Sequence, residues 1–381
     1  MFSNAYCPSP LCVPSRMSTL TGRFPYENEV WTNSHTLDSA IPTFAHAMGM
    51  AGYRPVLVGR MHAIGPDQLH GYSERLIGDH CSNYHGGAPP DHGMLEGTQG
   101  PQRVSLKKSG TGQNSYQVHD EYVTAATVDY LNRIGTKNRS GLAEEPFCLT
   151  VGFMLPHQPF VARPDDYKTY AGRVKMPKHA EPYSDALHPF FKWWREKSGT
   201  EHVPDQEVLR SRTAYWALVT CVDSMIGEII DALDRNGLAQ NTAIVYSSDH
   251  GEQVGEHGLW WKQTFYENSV KVPAIISWPG VIPQGVRCNR VMSSLDLNAT
   301  MLDLLGAPQL PMSHGRSILP LITSDNSDWE DIAFSEYCCD GCLHRMVRSG
   351  DWKLNYYHGM PPQLFDLQQD PEELNDLVLQ R

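Results

Sequence analysis

The sequence predicts an α/β fold: a mostly parallel central sheet flanked by helices, followed by a small antiparallel α+β subdomain at the C-terminus. Three observations predict it. Four short apolar runs each end in a polar loop. Amphipathic segments alternate with those runs. Past about residue 315 the texture changes to short strand-like stretches joined by turns.

The apolar runs are Pro55 to Val58, ending at Gly59, then Phe147 to Phe153, Thr242 to Tyr246 and Val272 to Trp278. Continuous apolar strands of this kind suit a parallel sheet buried on both faces. The segment TLDSAIPTFAHAMGMAG precedes the first run, with Pro42 in an opening turn and Gly52 at its end. DEYVTAATVDYLNRIG precedes the second. RSRTAYWALVTCVDSMIGEIIDALDRNG precedes the third and stops at Gly237. Near the start, Pro14 fits the first turn of a helix and Gly22 its end. Late in the chain, DIAFSEY, HRMVRSGDWKLNYY and PPQLFDL read as strands, with Ser349-Gly350-Asp351 as a hairpin turn and DPEELNDLV as a short final helix. The chain thus divides into a catalytic unit, 1–315, and a C-terminal subdomain, 316–381. Residues 80–115, rich in Gly, Pro, His and Ser, read as a long surface excursion near the active site.

Of the 381 residues, 40% are hydrophobic and 19% charged, which is ordinary for a globular protein. The net charge of −12 argues against nucleic acid as a partner. No apolar run reaches the length of a membrane span, and no signal peptide is visible, so the expected compartment is cytoplasmic. A signal peptide upstream of Met1 would make it secreted or periplasmic. Nine cysteines, an odd count, suit a reducing compartment or one cysteine with a special fate. Cys338, Cys339 and Cys342 lie close together in YCCDGC, without a second Cys or His cluster at metal-site spacing.

In open α/β sheets, ligands bind beyond the carboxyl ends of the strands. Arg60 and His62 follow the first run and His157 the second. Asp249 and His250, then Lys262, follow the third. Taken singly, each reads as an ordinary loop residue. Together they deliver cations, imidazoles and a carboxylate to one edge, a set suited to a tetrahedral oxyanion beside a metal ion. Cys12 lies at the start of the helix that opens at Pro14, where the helix dipole and free N–H groups favour an anion. The spacing fits a low-pKa nucleophile and a small buried thiol equally well.

The stretch CVPSRMSTLTGR resembles the sulfatase signature, with Cys12, Pro14, Ser15, Arg16, Leu20, Thr21 and Gly22 all fitting. GRMHAIGPDQLHGY resembles the form seen in choline-sulfatase-like members. LPHQPF, SSDHGEQVGEHGLWWKQTFYENSVKVPAIISWPG, LDLNATMLDLLGAP, GRSILPLI and PPQLFDLQQDPEELNDL resemble later landmarks of the family in order. The resemblance implies an alkaline-phosphatase-like fold and hydrolysis of sulfate esters. It implies that Cys12 becomes formylglycine, whose hydrate attacks sulfur and later expels sulfate without an external water. Arg16 would stabilise that hydrate. His62 would hydrogen-bond the formylglycine and act as base for the elimination. His157 and Lys262 would bind the sulfate and assist the leaving oxygen. Arg60 stands where the family usually has lysine, which keeps the charge and changes the reach. Asp249, His250 and the residue at Cys12 would hold a divalent cation: calcium as is usual in the family, or manganese or magnesium given the nitrogen ligand. The partners implied are a small sulfate ester or sulfated sugar as substrate and a formylglycine-generating maturation enzyme.

One departure is larger. Sulfatases normally open with a strand ending in an Asp-Asp pair of metal ligands, and this sequence begins just before the signature. The expectation is exposed apolar neighbours, too few ligands for a hard cation, and low activity of the 381-residue form. Two rival readings follow. One is a phosphonate monoester or phosphodiester hydrolase of the same superfamily. The other is a truncated, non-catalytic anion-binding remnant.

Overall fold

The structure, a computed structural model, describes residues 1–83, 90–142, 146–323 and 328–380. Its strands are β1 Phe2–Tyr6, β2 Arg54–Gly59, β3 Glu74–Ile77, β4 Gly110–Thr111, β5 Phe147–Gly152, β6 Val161–Ala162, β7 Ile244–Ser247, β8 Lys271–Ser277, β9 Cys288–Ser293, β10 Ile332–Cys339, β11 Cys342–Ser349, β12 Trp352–Tyr356 and β13 Gln363–Asp366.

The expected α/β architecture is present, divided between separate sheets. One sheet has the order β3-β2-β5, all parallel. A second has the order β7-β8-β1-β9, in which β1 and β9 are parallel but β8 is antiparallel to both of its neighbours. A parallel setting for the run Val272 to Trp278 is therefore corrected. Along β8, Val272, Ala274 and Ile276 are buried while Pro273 and Ile275 face outward, so the apolar run has one buried face, as an antiparallel strand allows. β1, at the interior of this sheet, escapes the sequence reading because Ser3 and Asn4 interrupt its apolar pattern.

The helices Ser115–Arg139 and Asp205–Arg235 correspond to the second and third expected helices. Val123, Leu131, Ile134 and Leu233 pack with Val56 and Val58 of β2 in one apolar cluster. The first expected helix is shorter than its sequence suggests. It spans Phe44–Met50 with Thr43 as N-cap, so Pro42 precedes the helix rather than opening it. The excursion over 80–115 holds the short helix Arg103–Lys107 and β4, and residues 84–89 of it lie outside the described residues.

At the C-terminus β10, β11, β12 and β13 form an antiparallel meander. The Ser349–Trp352 pair closes the expected turn at Gly350-Asp351. The final helix read from DPEELNDLV is not there: the segment makes turns and a short 3-10 helix over Leu377–Gln380. Its Glu373, 3% exposed, is turned inward with φ of 55°. There it accepts a hydrogen bond from Glu267 N at 2.6 Å and pairs with the fully buried Lys353 at 2.7 Å. That buried pair overrides helix propensity and ties the meander to the catalytic unit.

Among the described residues no strand pair joins β5 to β7. Between them runs a slot of about 910 Å³ whose walls include Leu149 and Val151 of β5, Val245 of β7, and Ile134, Ile229 and Met301 from covering helices. Val245 and Tyr246 are 36% and 41% exposed, so apolar strand residues stand open to the slot.

Two facing glycines bring the ends of β2 and β5 together. Gly59 pairs with Gly152, and Arg60 N donates to Gly152 O at 2.8 Å. A Cβ on Gly152 would lie 1.8 Å from Arg60 O, and one on Gly59 2.3 Å from Gly152 O. Gly152→Ala is therefore expected to destabilise the fold by about 1–3 kcal/mol and to weaken catalysis, since the clash falls on the backbone carrying Arg60. A thermal melt with an unchanged midpoint would overturn this reading.

Two buried imidazoles make stability pH-dependent. Burial pushes His257, stacked 4.0 Å from the Tyr266 ring, and His344, beside Phe190, down to about 4. The unfolded chain then binds more protons than the folded one. Stability should be full above about pH 6.5 and fall as pH drops toward 4, by up to about 2 kcal/mol per histidine at pH 5. Denaturant midpoints against pH check this, and His257→Phe should flatten the slope.

Candidate active site

The helix Cys12–Thr21 follows β1 and points its N-terminus at the carboxyl end of the sheets. Cys12 occupies its first turn and Gly22, with φ of 71°, terminates it. Leu11, the N-cap, offers no side-chain acceptor, and Asn33 Oδ1 instead takes the free N–H of Val13 at 3.0 Å. Cys12 is 1% exposed.

Lys262 Nζ lies 3.2 Å from Cys12 Sγ and 3.0 Å from His157 Nε2. His250 Nε2 lies 3.3 Å from the same sulfur. Arg16 Nε donates to Asp249 Oδ2 at 2.9 Å, and Ser15 Oγ donates to Asp249 O at 2.5 Å. Arg16 Nη1 donates to Arg60 O at 3.2 Å, and Arg60 Nη2 lies 3.4 Å from His62 Nδ1. His250 Nε2 also lies 3.6 Å from Asp249 Oδ2, so all eight residues singled out in the sequence lie in one continuous chain of contacts. They come from both sheets: Arg60, His62 and His157 from the ends of β2 and β5, the others from the β7–β8 side and the first helix.

The electrostatics favour anions. Burial raises the Cys12 thiol, but Lys262, His250 and Arg60 outweigh it and hold it well below the ordinary thiol range. Burial also raises the Asp249 carboxyl, and Arg16 and His250 reverse that, leaving it ionised. Burial, reinforced by Lys262, pushes His157 down to about 3. Its Nδ1–H donates to Gln158 O at 2.7 Å, so Nε2 is the lone-pair side facing Lys262. Burial likewise lowers His62. Arg60, 3% exposed, leaves its buried Nε without a hydrogen-bond partner among the described residues. A buried guanidinium with a free Nε–H, in a site that also holds a buried ammonium, is a place for an oxyanion.

Cys12, Asp249 and His250 place ligand atoms within 4.8 Å of one another, the only such group of three among the described residues. His250 Nδ1 donates to Gly251 O at 2.8 Å, which turns Nε2 toward Cys12 and Asp249. A carboxylate and an imidazole nitrogen fit part of the shell of a divalent cation. Cys338, Cys339 and Cys342 form no such cluster.

The sequence reading missed three neighbours. Tyr116 stacks edge-on to His157 at 5.7 Å. Asp79 and Asp120 accept backbone hydrogen bonds from the loops carrying His62 and His157. An aspartate just past a strand, as in ERLIGD, was the available signal for Asp79.

The family model described as Sulfatase matches residues 1–307, and that described as N-sulphoglucosamine sulphohydrolase, C-terminal, matches residues 255–381. The choline-sulfatase of Rhizobium meliloti (strain 1021) is 33% identical over 401 residues, covering 99% of this chain and 75% of that protein. Arylsulfatase K of Gallus gallus is 31% identical, covering 100% of this chain and 72% of its own length. Among solved structures, the phosphonate monoester hydrolase of Agrobacterium radiobacter superposes with a TM-score of 0.79 at 21% identity, over 99% of this chain and 84% of that one. A protein solved with its substrate D-glucosamine-2-N,6-O-disulfate superposes with a TM-score of 0.74 at 20% identity, over 99% and 85%. At these identities the two structures speak for the fold alone.

Proposed function

Since the chain belongs to the sulfatase family and is a sulfuric ester hydrolase, we propose that it cleaves small sulfate monoesters with residue 12, matured to formylglycine, as nucleophile beside a divalent cation. The observation that carries this reading is the placement of Cys12 Sγ against both Lys262 and His250 at a helix N-terminus. The sulfur stands in for the reacting oxygen of the matured residue.

Lys262 and the free Nε of Arg60 bind sulfate oxygens. His157 Nε2, sharing Lys262, faces the leaving oxygen, and Lys262 supplies the proton it takes up. His62 accepts the proton that must leave residue 12 when sulfate is expelled. Arg16 holds Asp249 ionised and fixed. Asp249, His250 and residue 12 would hold the cation, calcium in the first instance, with manganese or magnesium as alternatives. When bound, it supplies Lewis-acid polarisation of sulfate and lowers the pKa of the attacking hydroxyl.

The names choline-sulfatase and arylsulfatase among the relatives favour a small ester over a long sulfated glycan. A maturation enzyme that oxidises Cys12 is the partner required. Eight cysteines remain beside residue 12, compatible with free thiols in a cytoplasmic setting or with disulfides, and no helix among the described residues is long and apolar enough to cross a membrane.

The test is to co-express the chain with a formylglycine-generating enzyme and to measure turnover of an aryl sulfate and an aryl phosphonate, before and after chelation. Faster sulfate cleavage, lost on chelation and restored by calcium or manganese, is expected. Faster phosphonate cleavage would favour the phosphonate hydrolase reading. No turnover of either, with residue 12 matured, would favour an anion-binding remnant.

A further inference from the structure

We propose that Asp79 and Asp120, bridged by His119, are positioning residues that set the reach of His62 and His157 toward residue 12. The proposal rests on the roles given above to those two histidines.

Asp79, beyond the end of β3, has a fully buried side chain. It accepts from Met61 N at 2.8 Å and from His62 N at 3.1 Å, and it pairs with Arg75 at 2.7 Å. His62 itself sits at φ of 60°, a left-handed conformation that a non-glycine residue adopts only when its surroundings impose it. The Asp79 carboxylate spanning Met61 and His62 imposes it. Asp120, also fully buried, lies in the helix Ser115–Arg139. It accepts from Met154 N at 2.9 Å and Leu155 N at 2.8 Å, fixing the turn that presents His157.

His119 joins the two. Its Nδ1 lies 3.0 Å from Asp120 Oδ1 and its Nε2 2.8 Å from Gly78 O, the residue before Asp79. Both partners are acceptors, so both ring nitrogens donate and the imidazole carries a charge. Satisfying loose N–H groups past a strand needs only a neutral side chain or water. Two buried carboxylates, each cation-paired and cross-linked, form a frame across both histidine loops. Neither aspartate touches the reacting atoms.

The test uses the matured full chain with histidine isotopically labelled on the ring nitrogens. Asp120→Asn should lower kcat about 10- to 100-fold with KM within about twofold, and should move the His157 ring signals while leaving those of His62. Asp79→Asn should do the converse. His119→Ala, which keeps both carboxylates, should move both sets, and it carries the test if an aspartate variant fails to fold. Ring signals unchanged in a folded variant overturn the proposal, whatever the turnover. The assigned roles of the histidines are read separately, from the activity of His62→Ala and His157→Ala, so either idea can fail without the other.

Discussion

Cys12→Ala is expected to lower kcat toward an aryl sulfate by about 10⁴-fold or more, with the fold intact. The side chain removed is small, and its loss leaves helix Cys12–Thr21 and the neighbouring ion pair of Arg16 and Asp249 in place. What disappears is the atom on which Lys262 and His250 converge. Cys12→Ser should fail to recover wild-type turnover, because a lone hydroxyl lacks the second oxygen needed to release sulfate. The accompanying measurement is the peptide mass at residue 12, which should fall by about 18 Da on conversion to formylglycine. Wild-type activity in a protein whose residue 12 remains a thiol would sink the assignment.

Lys262→Met should lower kcat by about 10³-fold, the magnitude seen when one preorganised charge facing a developing anion is lost. Lys262 is 4% exposed, so water does not replace it. The substitution should also leave a signature in pH. His157 is pushed down first by burial and then by Lys262. Without the ammonium, its pKa rises toward the ordinary imidazole value, and it becomes protonated at a higher pH. The acid limb of the residual kcat profile should therefore shift upward. An unshifted limb would place Lys262 away from His157 in the working enzyme.

The sequence made most of this site legible because its chemistry sits in short, punctuated segments. Arg60, His62, His157, Asp249 and His250 each follow an apolar run directly, and the strand ends place them at one edge. The interior strand β1 was not legible, since five residues broken by Ser3 and Asn4 carry too little period. The orientation of β8 depends on which face is covered, and a run of apolar residues does not say. The final helix failed because one buried pair, Lys353 with Glu373, outweighs local propensity. Asp79 and Asp120 stayed hidden for a related reason. Their partners are backbone groups of distant loops, and no spacing in the chain encodes that meeting.

The slot between β5 and β7 means that, among the described residues, the catalytic groups are carried by two sheets with no shared ladder between them. Arg60, His62 and His157 ride on one, and residue 12, Asp249, His250 and Lys262 on the other. Their separation is set by apolar packing of Val13, Met17 and Leu20 against Leu57 and Met61, together with the links from Lys262 to His157 and from Arg16 to the carbonyl of Arg60. The working distance between the two sets of groups is therefore fixed by a shared apolar core rather than by strand pairing.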